Sequence, residues 1–209
     1  MKNVTDRTSN PFGMRPPCEE FVPGYGDANA DFHAIGDHPG VHGGRETGVP
    51  FTNAAGRRLQ GVLHAVGLLD DSGSDAPETE TVFFSYLHTC VPDGEPTPAS
   101  YADCERFLDA ELRAISAHVL LPVGERATRY VLANYTARLA TDDLDMDDLH
   151  ATELRGGGWL VLPIAEPAGW TNDDADRLTR ALETLLATDY RRETDLGRFI
   201  PGDDPYLVR

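Results

Sequence analysis

The chain has 209 residues, 35 acidic against 18 basic, a formal net charge of −17 and a single lysine, Lys2. That length can bury a substantial core without disulfides or metals, and there is no run of 18 apolar residues to cross a membrane. Three cysteines, an odd number, do not make a secreted disulfide framework, so a cytoplasmic protein of one domain, residues 1–209, is expected.

The surface, rich in Asp and poor in Lys, suits a molar-salt cytosol, where the Debye length shrinks to about 3 Å and self-repulsion is screened. An ordinary acidic enzyme is the plainer alternative. In dilute salt such a charge argues against a nucleic-acid partner. In molar salt long-range attraction to phosphate is screened for every protein, and the argument weakens.

Residues 1–20 hold Pro11, Pro16 and Pro17 and read as an irregular arm. "ADFHAIG" (30–36) reads as a buried strand ending at a glycine. "AGRRLQGVLHAVGLL" (55–69) places apolar residues at 59, 62, 63 and 66, one face of a helix. "TVFFSYLHTC" (81–90) is β-rich, and a Pro/Gly loop over 91–100 leads to an amphipathic helix over 101–116. A strand over 118–124 and a helix over 125–139 follow. The acidic run over 140–150 reads as a solvated loop. "GGGWLVLPIAEP" (156–167) reads as a strand, and 171–188 as a helix with Thr171 or Asn172 as N-cap. The C-terminal extension, 189–209, is less regular.

Alternating strands and helices predict a three-layer α/β/α sandwich around a four- to five-stranded, mainly parallel sheet. Ligands of such folds sit at the carboxyl ends of strands. Residues 36–40, Tyr86 to Cys90, Gly124 and Glu166-Pro167 all fall there. The loop from Gly36 to Gly44 concentrates an acid, two histidines and glycines. Taken as a phosphate cradle it lacks both G-x-G-x-x-G and the Walker A pattern.

Gly36-Asp37-His38-Pro39-Gly40 and then His42 to Thr52 (HGGRETGVPFT) resemble a first motif of the type GEAPG or GLAPA continuing into HGGNRTGRPFTG. Tyr86 to Cys90 is similar to a strand ending in NVVKC. Pro96-Thr97-Pro98 with Cys104 to Leu108 is similar to TPTPEE and CRPFL. His118 to Gly124, then Arg126-Ala127-Thr128, is similar to VIVALG followed by A-T-A. Over residues 18–188 this order and spacing resembles the uracil-DNA glycosylase superfamily, nearest its iron–sulfur branches from thermophiles.

The resemblance implies an enzyme of base excision repair that flips a nucleotide from DNA, single- or double-stranded, into a pocket. It also implies a monomer with no membrane partner. An aromatic ring stacks on the base, an amide reads its edge, a first-motif residue positions water, and a histidine in an HPS run stabilises the departing base. Phe51 matches the stacking ring; the plainer alternative is a core Phe. Asp37 matches the water-positioning residue, with a loop carboxylate that accepts backbone N–H groups as its alternative. Gly36, His38, Pro39, Gly40 and His42 would approach the base or phosphate.

Two positions depart from the pattern. Tyr86 stands where the amide is, and Glu166-Pro167-Ala168 stands where HPS is. An ionised Glu166 repels an anionic leaving base, so it helps only if protonated or facing an amino-bearing base. The expected activity is therefore hydrolysis of the N-glycosidic bond of a deaminated or damaged base. The alternative is a degenerate member that binds nucleic acid or a base without turnover.

Cys18, Cys90 and Cys104 match three of four cluster cysteines, and Phe21 stands at the other. The expectation is no cofactor. A [4Fe–4S] cluster with a non-cysteine fourth ligand, or zinc on the same sulfurs plus His88, is the alternative.

Overall fold

The computed structural model describes residues 15–115, 117–136 and 144–199. Its sheet has six strands: β1 (Tyr25–Gly26), β2 (Phe32–Gly36), β3 (Val82–Tyr86), β4 (Val119–Pro122), β5 (Leu154–Gly156) and β6 (Trp159–Val161). Their spatial order is β1-β3-β2-β4-β6-β5. The inner four are parallel, and β1 and β5 pair antiparallel at the two edges. The sheet thus has one strand more than expected, because both edges are two- or three-residue pieces too short to show a period.

β2, β3 and β4 are buried at every residue, as strands covered by helices on both faces must be. On one face Phe32, Ala34 and Leu121 pack against Leu59 and Leu63 of α2 (Ala54–Ala65) and Leu178 and Leu182 of α6 (Asn172–Leu186). On the other, Ile35 and Leu120 meet Leu108 and Leu112 of α3 (Pro98–Ile115) and Val131 of α4 (Glu125–Tyr135). This is the expected α/β/α layering. Thr171 caps α6 in a capping box with Asp174, satisfying two orphan N–H groups at once.

Three local expectations change. Pro39–His42 forms a short helix, α1, inside the glycine-rich loop. The acidic run forms a four-residue helix, α5 (Met146–Leu149), capped by Asp145, while its residues up to 143 lie outside the described ones. The extension forms α7 (Tyr190–Phe199), tied back where Arg191 and the Tyr190 hydroxyl both reach Asp31. Of the expected arm, residues 1–14 lie outside the described residues. Among the described residues no helix is long and apolar enough to cross a membrane.

Strand order reverses at β2, whose neighbours β3 and β4 follow it in the chain but lie on opposite sides. A crevice therefore opens beyond its carboxyl end. Under α3 lies a buried polar group. His33 Nε2 is 2.6 Å from Ser85 Oγ, and Glu111 accepts the Gly24 N–H at 3.2 Å. Burial pushes the His33 imidazole down to about 3 and the Glu111 carboxyl up to about 8, so both are neutral at pH 7.

Candidate active site

The chain leaves β2 at Gly36, where a Cβ would stand 2.8 Å from His42 Nδ1, Phe51 Cζ and Tyr86 Cε1 alike. Only glycine lets these three rings close over the strand end. Backbone bonds then tie the neighbouring strand ends together. Leu87 N–H donates to Gly36 O, His88 N–H to Asp37 O, and Gly124 N–H to Ile164 O. The convergence expected of residues 36–40, 86–90 and 164–168 is present.

His38 caps α1, its Nδ1 accepting the Gly40 N–H at 3.0 Å, and Pro39 takes the first helical position, where no N–H is needed. One helical turn brings His42 back over β2, fully buried. Its Nδ1 accepts the Asp37 N–H at 3.2 Å, so in the neutral ring Nε2 carries the proton and donates to Glu166 Oε2 at 3.0 Å. The other Glu166 oxygen, Oε1, is enclosed with no hydrogen-bond partner among the described residues. Burial alone would push the Glu166 carboxyl up. The hydrogen bond and charge of His42, with the Ala168 N–H, outweigh it and hold the group below the usual carboxylate range.

Glu166 is placed by its loop. Arg58 of α2 donates to Pro167 O at 2.7 Å and Trp170 O at 2.5 Å, and Trp170 Nε1 donates to Ala165 O at 2.8 Å. Asp37 is held from the other side. Tyr101 Oη donates to Oδ1 at 2.5 Å and Arg126 Nε to Oδ2 at 3.1 Å, with the guanidinium 4.7 Å above the Tyr101 ring. Burial, then the bond to Asp37, pushes the Tyr101 phenol up, keeping it a donor. Asp37 and Glu166 face one open cleft of about 470 Å³, shared with Val41, Gly124, Arg126 and Arg129. Gly124, at φ 85°, starts α4, so the positive end of that helix also faces the cleft.

Phe51 and Tyr86 lie behind this cleft. Phe51 is fully buried at φ 59°, a left-handed conformation costing a bulky residue about 1–3 kcal/mol. Two bonds hold it there: its N–H donates to Tyr86 Oη at 2.9 Å, and Gln60 Nε2 donates to its carbonyl at 2.9 Å. Tyr86 Oη in turn donates to Gly43 O at 2.9 Å. His42 lies stacked on Phe51, ring centroids 5.1 Å apart. The three rings thus pack on one another, and His42 rather than Phe51 meets the cleft acids. Sequence reasoning did not single out Tyr101, Arg58 or Arg129. Arg126 was visible only as a motif position at the start of a helix.

The cysteines also converge. Cys18 and Cys90 form a disulfide, a pairing the sequence reading does not contain, and the Cys104 thiol lies buried with its Sγ 3.9 Å from Cys90 Sγ. A ring nitrogen of His88 and the sulfurs of Cys90 and Cys104 lie within 4.8 Å of one another.

An α/β sandwich with two acids and a buried histidine converging beyond the switch strand defines a ligand-handling protein of the strand-end type. Comparison with known proteins narrows this. A profile described as the uracil DNA glycosylase superfamily matches residues 23–186, and the chain belongs to that superfamily. It is 30% identical over 182 residues to a type-5 uracil-DNA glycosylase of Pyrobaculum aerophilum, covering 84% of this chain and 76% of that one. It is 33% identical over 134 residues to a type-5 enzyme of Thermus thermophilus, covering 61% of this chain and 59% of the relative's own length. A type-4 uracil-DNA glycosylase of Archaeoglobus fulgidus is 27% identical over 150 residues, covering 71% and 70%.

Proposed function

We propose that this chain is a DNA N-glycosylase of base excision repair that hydrolyses the glycosidic bond of a deaminated or damaged base. It would act as a monomer of one domain in a high-salt cytoplasm. The observation that carries the reading is the line Asp37–His42–Glu166. The Asp37 N–H is bonded to one nitrogen of His42, Glu166 is bonded to the other, and both carboxylates face one cleft. A flipped nucleotide enters from the mouth beside Arg126 and Arg129, whose charges suit its phosphates.

Asp37 orients the attacking water. Its two oxygens hold Tyr101 and Arg126, and a carboxylate retains further lone pairs for a water proton. Glu166, ionised, accepts an N–H from the base edge on the side of its carboxylate that faces the cleft. Uracil, hypoxanthine and xanthine all present a ring N–H to such an acceptor, while the charge disfavours build-up of negative charge on the departing base beside it. His42 keeps Glu166 oriented. Gly36, Pro39 and Gly40 shape the loop, His38 caps its helix, and Phe51 and Tyr86 support the His42 ring from behind. No cofactor is needed for hydrolysis of this kind.

Glycosylase assays in molar KCl on oligonucleotides bearing uracil, hypoxanthine or xanthine test the proposal. Cleavage of any of the three supports it. A second reading, binding without turnover, is favoured by the complete burial of Phe51, Tyr86 and His42, which leaves none of these rings open to stack a base. Retention of single-stranded DNA with no cleavage of any lesion selects that reading.

A further inference from the structure

The sulfur cluster stands apart from the proposed reaction and is brought together by three segments. The arm pairs with the stretch after β3: Phe21 bridges Cys90, Val22 N–H donates to Thr89 O at 2.8 Å, and Val91 N–H donates to Glu20 O at 3.0 Å. This register sets Cys18 against Cys90. Cys104, 1% exposed in α3, closes on them from the helix side. His88 is 4% exposed, its ring fixed by a 3.0 Å contact between Nδ1 and Cys90 O. Cys90, Cys104 and His88 are thus buried side by side, and the disulfide brings the half-buried Cys18 sulfur to their edge.

A four-iron cluster calls for four thiolates, and the whole chain has three cysteines. The spacing disagrees as well. Each thiolate of such a cluster sits on its own iron, which spreads the sulfurs. Ligands of a single tetrahedral ion crowd closer. With Zn–S bonds of about 2.3 Å, a regular tetrahedron puts neighbouring sulfurs about 3.8 Å apart. Cys90 and Cys104 stand at 3.9 Å, already at that edge.

We infer that Cys18, Cys90, Cys104 and His88, when the disulfide is reduced, bind one tetrahedral zinc ion through three thiolates and one imidazole. Reduction breaks the Cys18–Cys90 bond. A phosphine supplies two electrons and leaves as its oxide with the oxygen of a water molecule, whose two protons go to the sulfurs, giving three thiols in the site. Zinc binding then releases three protons as the thiols become thiolates. Separating the two formerly bonded sulfurs to the tetrahedral edge takes about 2 Å, within reach of side-chain rotation. Oxidised, the site ties the arm to the stretch after β3; metal-bound, it would tie both to α3. The ion would sit directly behind the Asp37 loop, because His88 N–H donates to Asp37 O.

The test uses the full chain, reduced anaerobically with a phosphine, loaded with Zn²⁺ or Co²⁺, desalted and analysed for metal. The expected result is one ion retained per chain, with a Co²⁺ absorption spectrum of a tetrahedral site carrying thiolate charge-transfer bands. Cys104→Ser and His88→Ala should each give up the ion to a competing chelator at lower chelator concentration, while the control His64→Ala, at an exposed site on α2, should not. Circular dichroism identifies any variant that fails to fold, and the spectrum of the unaltered chain then decides alone. Loss of both ions on desalting overturns the inference. So do an octahedral Co²⁺ spectrum, iron with equimolar acid-labile sulfide in the anaerobically purified protein, or a folded His88→Ala that holds zinc like the parent.

Discussion

Replacing Glu166 by Ala and by Gln separates its two proposed duties. Ala removes the acceptor of the buried His42 Nε2–H, and an orphaned buried donor costs about 1–3 kcal/mol. The Glu166 side chain is 40% exposed, so cleft water partly replaces the lost bond and screens the charge. The low end, about 1 kcal/mol, is therefore expected, or about 2–4 °C in Tm for a chain of this size. Gln keeps an oxygen for His42 and should unfold within about 1 °C of the parent. The pH dependence follows from the direction of the shift. A depressed carboxyl stabilises the fold above its ordinary value near 4.5, and that contribution disappears as pH falls through the lower folded value. The parent should thus lose its margin over Glu166→Ala only below about pH 4.5. In the glycosylase assay Gln replaces a repelling charge by an amide that can donate. Uracil excision should rise about tenfold, toward the 10²–10³ typical of a dedicated donor. Ala and Gln unfolding at the same temperature would refute the His42 bond. A fall in uracil excision on Gln substitution would refute the charge argument.

Other substitutions address the shell around this pair. Asp37→Asn should lower single-turnover cleavage by about 10²–10⁴ while DNA retention on a filter changes little, since a positioned base is lost and the Tyr101 and Arg126 contacts can partly persist. Tyr86→Phe strips the partner from Phe51 N–H and Gly43 O together and should cost about 2–4 kcal/mol in urea unfolding, with an unchanged m-value. Gly36→Ala drives a methyl group into three rings at 2.8 Å and should cost about 1–3 kcal/mol by the same measurement. A neutral result at Gly36 would mean the rings are not closed over the strand end in solution.

Periodicity made the large elements legible. Leu59, Val62 and Leu63 share one helical face, the central strands are unbroken apolar runs, and Thr171 with Asp174 announces its own helix start. Short elements escaped because β1 and β5 are too brief to alternate, and Pro39-Gly40 reads as a turn although Pro is suited to open a helix. α7 was hidden by its polar composition and shows its helical character only once Tyr190 and Arg191 have Asp31 to hold. At the site, the acids were visible as strand-end residues, but their partners were not. His42 meets Glu166 across 124 positions, and Arg126 meets Asp37 across 89, so no local pattern encodes either pair. Tyr86 was misleading for a related reason: its phenol bonds backbone at residues 43 and 51, long before it in the chain.

The buried pair His33 and Glu111 makes unfolding an exchange of protons with the solvent. Glu111 holds a proton up to about pH 8 in the fold and releases it near 4.5 in the open chain, so unfolding between these values expels one proton. His33 resists protonation down to about 3 in the fold and accepts a proton below 6.5 when exposed, so unfolding between those values takes one up. From about pH 4.5 to 6.5 the two fluxes cancel and this pair leaves stability flat. Above that window stability drains as pH rises, and below it stability drains as pH falls. At neutral pH the folded molecule carries one negative charge fewer than its formal −17, since Glu111 is uncharged. Calorimetric unfolding enthalpies at pH 7.5 should therefore vary with the ionisation heat of the buffer by about two-thirds of a proton's worth, and those at pH 5.5 should receive no such contribution from this pair.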